Sequence, residues 1–186
     1  MEASLQSIKA RLAGSTRHGA SHMIASVLLW SAFGVLAFIP EATIDKPLMY
    51  VLGACISWPL AVAIGGLFRI HMYPRGNPLS LLFLIISALQ LPFVSILIAT
   101  YLSSPEMLPW YLGVVSSVQF LLFAWLFDSS AYLFCALGTL EVSILIGWLA
   151  PRFTYLLTPA AILPVLLISG YFLLRKYATL SPRSDR

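Results

Sequence analysis

The sequence predicts an all-α integral membrane protein with six transmembrane helices and both termini in the cytoplasm. Of its 186 residues, 60% are hydrophobic and 10% are charged, and the mean hydropathy is +0.91. Soluble domains carry about 25% charged residues, so this composition does not fit a soluble globular fold. The apolar residues form six runs long enough to cross a bilayer as helices. The lipid bilayer is therefore the first expected partner.

A basic segment, residues 1–21, opens the chain. Leu5, Ile8 and Leu12 fall at positions i, i+3 and i+7, which is typical of a short amphipathic helix on the membrane surface. A disordered cytoplasmic tail fits the same residues. The six-helix domain covers residues 22–174, and a basic cytoplasmic tail covers residues 175–186. We place the spans at residues 22–39, 48–68, 79–102, 110–127, 131–150 and 155–174.

Prolines mark the ends and kinks of these spans. Pro40 closes the first span, and Pro59 lies in the middle of the second. We expect the third span to be interrupted at residues 90–92, where the sequence is Gln-Leu-Pro. Pro159 and Pro164 fall inside the sixth span. A proline within a transmembrane helix is tolerated when neighbouring groups bond the backbone that it frees.

The distribution of lysine and arginine predicts the orientation. The first tail carries three of these residues, the connection of residues 69–78 carries two, and the last tail carries four. The other side of the membrane has only Lys46 and Arg152. Because cytoplasmic loops carry the excess of basic residues, we expect both termini in the cytoplasm.

Three large polar side chains lie near the middle of consecutive spans. Gln90 is in the third span, Gln119 in the fourth and Glu141 in the fifth. A carboxylate at this depth costs several kcal/mol by the lowest estimates, so it marks a functional site by default. Short connections make these spans probable neighbours, and hydrogen bonds between them would offset the desolvation. The glutamines could equally join helices, and Glu141 could be a protonated structural carboxyl.

Two tryptophans complete the candidate site. Trp30 and Trp58 lie near mid-span, although tryptophan prefers the membrane interface. An aromatic wall beside a carboxylate can hold an organic cation. Midplane tryptophans also serve as packing residues. We therefore take Glu141, Gln119, Gln90, Trp58 and Trp30 as candidate substrate-binding residues.

Several chemistries have no motif in this sequence. It has no glycine-rich phosphate loop and no nucleophile elbow. Cys55 and Cys135 fall inside spans, without the spacing of a metal site. We expect no metal and no cofactor. The basic residues are not spread over a surface as in a nucleic-acid binder, so we expect no nucleic-acid partner.

Three stretches resemble a family of small six-span bacterial membrane proteins of unknown function. They are HGASHMIASVLLW in the first span, GNPLSLLFLIISALQ entering the third, and WLFDSSAYL between the fourth and fifth. The resemblance covers most of the chain and implies the six-helix fold and a bacterial inner membrane. It implies no catalytic residue.

Three functions follow from these features. The first is a small transporter or binding protein for a lipophilic or cationic small molecule, with Glu141 as its proton or cation site. The second is a membrane-embedded enzyme for a lipid or isoprenoid, similar in outline to terpene cyclases. In it Glu141, with Asp128, would be the general acid. The third is a structural or accessory subunit of a membrane assembly, and a homo-oligomer is compatible with each.

Overall fold

The computed structural model describes residues 4–40 and 42–180, with side chains to residue 175, and in these residues the ordered elements are helices without strands. The long helices pack side by side as a bundle. The α-helices, in chain order, are α1 Leu5–Ser15, α2 Ala20–Leu36, α3 Lys46–Leu67, α4 Ser80–Ser87, α5 Gln90–Ser103, α6 Leu108–Phe127, α7 Ser130–Leu149 and α8 Thr154–Leu180.

Six helical segments of the described chain are long and apolar enough to cross a membrane. They cover Arg17–Leu36, Lys46–Leu67, Ser80–Ser103, Pro105–Phe127, Ser130–Leu149 and Pro151–Arg175. The all-α, six-span prediction is confirmed. The first segment begins at Arg17 rather than at residue 22 because a short turn, Arg17–Gly19, runs into α2. The cytoplasmic placement of the termini stays a prediction from the charge count.

The basic segment at the start of the chain contains a helix that is docked on the bundle. Ser4 caps α1, since its hydroxyl accepts the N–H of Ser7 at 3.3 Å. Lys9 donates to the carbonyl of Trp125 at 2.6 Å and to the carboxylate of Asp128 at 3.1 Å. A cation at the carboxyl end of α6 also complements the helix dipole. These contacts hold α1 against the end of α6.

The third span is broken between α4 and α5, at Ala88 and Leu89. The sequence predicted the interruption two residues later, at Gln90. Pro92 explains the shift, because a proline has no N–H for the carbonyl four residues before it and its ring clashes with that carbonyl. The Ala88 carbonyl instead accepts the N–H of Leu91 at 3.0 Å. Gln90 is therefore the first residue of α5.

Helices α6, α7 and α8 pack closely through small residues. A Cβ atom on Gly138 of α7 would lie 2.9 Å from a methyl carbon of Val165 on α8. Gly113 of α6 is similarly covered by the side chain of Ser143 on α7. Glycine permits such close approach between transmembrane helices. This packing leaves α7 without a face on the cavity described below.

Candidate functional site

A narrow cavity lies between α2, α3, α6 and the junction of α4 with α5. Four predicted site residues line it: Trp30, Trp58, Gln90 and Gln119. The structure therefore brings together the four uncharged members of the predicted site. The space open to the centre of a water molecule is ≈ 20 Å³, which holds about one or two waters.

Gln90 is at the centre of a hydrogen-bond network across this cavity. Its side-chain N–H group donates to the side-chain oxygen of Gln119 at 3.1 Å and to the hydroxyl of Ser116 at 3.4 Å. The hydroxyl of Ser57 donates to the side-chain oxygen of Gln90. Both glutamines are more than nine-tenths buried. The predicted bonding between the third and fourth spans is therefore present, and α3 contributes to it as well.

Gln119 connects the network to the break in the third span. Its side-chain N–H group donates to the carbonyls of Ile86 at 3.1 Å and of Ser87 at 3.2 Å. In a continuous helix the Ser87 carbonyl would accept the N–H of Leu91, which here bonds Ala88. A side chain from α6 thus bonds backbone that the break leaves exposed.

His22 lines the same cavity, although the sequence did not place it among the candidate site residues. It is 5% exposed, and neither ring nitrogen has a hydrogen-bond partner. The ring packs edge-on against Phe83 and Phe123, with centroids 5.4 and 5.1 Å away. The signal for this position was its spacing, since His22, Ser26 and Trp30 follow each other every four residues on one helical face.

Glu141 lies away from this cavity. It is exposed on the outward side of α7, and α7 contributes no lining residue. This placement corrects the expectation that Glu141 shares a layer with the glutamines and tryptophans. The rotation of α7 about its axis turns this residue outward.

Asp128, the second carboxyl of the enzyme hypothesis, also lies outside the cavity. It ends α6 in a left-handed backbone conformation, with φ of 44°. Its carboxylate accepts the Lys9 ammonium at 3.1 Å. The geometry therefore gives Asp128 a role in fastening α1 to α6, and it does not bring Asp128 together with Glu141 and the tryptophans.

The lining of the cavity is polar but carries no carboxylate, lysine or arginine. Besides His22 and the two glutamines, its polar groups are serine hydroxyls and the indole of Trp58. Over the described chain, no three His, Cys, Asp or Glu residues cluster as metal ligands. Both cysteines are free thiols. The site offers neutral hydrogen-bond donors and acceptors.

A family model described as "Family of unknown function (DUF7010)" matches residues 5–176. The chain belongs to this family. No curated protein and no solved structure matches the chain. The match agrees with the resemblance to a family of unknown function.

The site of this DUF7010 protein suits recognition of a neutral molecule. Amide and hydroxyl groups can bond a hydroxyl or a carbonyl, and a neutral imidazole has one donor and one acceptor. Trp30, Phe120 and Phe123 give the cavity apolar walls. Apolar walls with a few convergent polar groups are typical of small-molecule sites, and at ≈ 20 Å³ this cavity has room for a small polar head group.

Proposed function

We propose that the protein is a small transporter or binding protein of the membrane, whose cavity receives the polar head group of a neutral amphiphilic molecule. One observation carries the proposal: the buried His22 ring faces a polar cavity with both nitrogens unbonded. Buried polar groups in proteins nearly always have a partner, and each exception needs an explanation. A bound polar group, or the water that it replaces, would be that partner.

The chemistry of the lining favours a neutral head group. The sequence hypothesis allowed a lipophilic or a cationic ligand because it counted Glu141 in the site. No carboxylate lines the cavity, so an ammonium ion would lack a counter-charge there and would be costly to desolvate. The proposal keeps the lipophilic ligand and gives it a hydroxyl or carbonyl head.

The shape of the cavity supports entry from the bilayer. Ala25, Ala61 and Ile64 are buried together and seal α2 against α3. On α3, Ser57 and Trp58 are only partly buried, so the open side of the cavity follows this helix. The indole N–H of Trp58 donates to the hydroxyl of Tyr73 at 3.1 Å. That bond would have to open for a ligand to pass beside Trp58.

The test compares three ligands that have the same alkyl chain and differ only in their head group. The protein in lipid nanodiscs is heated with decan-1-ol, decylammonium or decanoate, and the unfolding temperature is recorded. We expect the alcohol to raise this temperature most, because a ligand at 100 times its Kd stabilises the folded state by about 2.7 kcal/mol. A larger rise with decylammonium would overturn the neutral-ligand proposal.

The variant His22→Phe tests whether the rise in unfolding temperature comes from alcohol bound at the cavity. The variant keeps an aromatic ring between Phe83 and Phe123 and removes both nitrogens, so we expect it to lose most of the shift caused by the alcohol. The matched control is His71→Phe in the exposed connection between α3 and α4, which should keep the full shift. An unchanged shift in His22→Phe would show that the alcohol binds elsewhere.

The acid-initiated enzyme has less support than the binding protein. It required Glu141, with Asp128, beside the aromatic residues, and neither carboxyl lines the cavity. It stays a hypothesis that incubation of membranes with polyprenyl substrates can test. Formation of a cyclised product that is lost in Glu141→Gln would revive it.

A further inference from the structure

The outward face of α7 is an apolar stripe with one carboxyl group in its middle. Phe134, Leu137, Leu145 and Trp148 of this stripe are 48%, 49%, 52% and 81% exposed. Glu141 is exposed between them. The spacing of these residues, three or four apart, keeps them on one side of a helix. In a bilayer this side meets lipid tails unless another protein covers it.

Glu141 has no hydrogen bond or ion pair within the part of the chain that the structure describes. The lysines and arginines described lie in α1, in connections or near the ends of spans, away from the middle of α7. An ionisable residue within a membrane span faces the bundle interior, faces a water-filled cavity or pairs with another group. Here the first two are excluded by its position, so the pairing group must come from outside the described part of this chain.

We infer that the α7 stripe is the contact surface for a second copy of this chain, with the two Glu141 carboxyls bonded to each other. Two copies with the same topology in one membrane are related by a two-fold axis along the membrane normal, and such a contact is self-complementary. It sets both carboxyls at the same depth. A protonated carboxyl donates one hydrogen bond and accepts others, so the pair needs no third group.

The apolar residues of the stripe fit the same contact. Leu137 and Leu145 lie one helical turn on either side of Glu141, and Phe134 and Trp148 extend the surface by a further turn each. Bulky side chains at this spacing pack between those of a facing helix. The inference is independent of the proposed ligand, because α7 has no residue in the cavity.

Cysteine cross-linking in native membranes tests the surface. Leu137→Cys and Leu145→Cys are each made with Cys55→Ser, while the fully buried Cys135 is kept. Oxidation should cross-link the better of these two positions at least about tenfold more than Leu167→Cys, on the exposed side of α8, because only cysteines with close Cβ atoms form a disulfide. Equal cross-linking at Leu167→Cys, or none on α7, would overturn the inference.

Substitution of Glu141 in the cross-linking variant identifies its partner. An amide also donates and accepts, so Glu141→Gln should keep cross-linking within about twofold, whereas Glu141→Leu should lower it about tenfold. Size-exclusion chromatography checks that each variant is folded. Loss in Glu141→Gln equal to that in Glu141→Leu would indicate that the charge of Glu141 is needed and would overturn the bond between the two carboxyls. Unchanged cross-linking in Glu141→Leu would also overturn that bond.

Discussion

The helices on the two sides of α6 pack in different ways. Towards α3 and the junction of α4 with α5, α6 presents Ser116 and Gln119, and the space between the helices holds a cavity lined by hydrogen-bonding side chains. Towards α7, it presents Gly113, and the helices touch closely. One helix therefore borders both a polar site and a tightly packed scaffold. The side of a helix on which a polar residue lies therefore decides which groups it can contact.

The largest loss of stability is expected from a bulky substitution on the side of α6 that packs against α7. Gly113→Leu places a side chain where Ser143 already lies, and overpacking of this kind costs about 3 kcal/mol of unfolding free energy. Gly34→Leu is the matched control, because a Cβ on Gly34 meets nothing within 4 Å. Unfolding in mixed detergent micelles measures both. Equal stability of the two variants would show that the side of α6 facing α7 is not closely packed.

A smaller loss of stability is expected from a substitution on the side of α6 that borders the cavity. Gln119→Leu removes the bonds to Gln90, Ile86 and Ser87, which together are worth about 2 kcal/mol if each has the usual strength in membrane proteins. Gln6→Leu, on an exposed position of α1, is the control and should leave unfolding unchanged. A Gln119→Leu variant as stable as the parent would mean that this network does not hold the bundle together.

The smallest effect on stability is expected at His22. His22→Phe loses no hydrogen bond to the described chain, since both nitrogens are unbonded there, and replacing unpaired buried polar atoms with an apolar ring should leave the unfolding free energy nearly unchanged. Tyr132→Phe is the comparison, because the Tyr132 hydroxyl donates to the Gly19 carbonyl at 2.9 Å. It should cost about 1 kcal/mol. A larger loss in His22→Phe than in Tyr132→Phe would make His22 a structural residue.

The sequence predicted the spans closely because hydropathy is a local property of the chain. The depth of Gln90, Gln119, Trp30 and Trp58 followed from counting residues along each span, and the structure brings these four together. The rotation of each helix about its axis could not be derived from such a count. It is set by packing against neighbours, here by glycines such as Gly138 on α7.

Because the sequence does not give the rotation of a helix about its axis, it did not predict the directions that Glu141 and His22 face. Glu141 faces outward because the small residues of α7 turn its other sides towards α6 and α8. His22 faces inward, although the sequence did not place it among the candidate site residues. Its spacing with Ser26 and Trp30 was readable, but nothing in the sequence said that this face of α2 borders a cavity.

The bond from Gln119 to the Ser87 carbonyl also bears on how the chain is assembled. The third span is synthesised before the fourth. The Ser87 carbonyl therefore has no hydrogen-bond donor from Gln119 until α6 has entered the membrane. A backbone carbonyl without a partner in hydrocarbon is costly. The break between α4 and α5 is therefore stabilised by the fourth span, and we expect the third and fourth spans to insert as one unit.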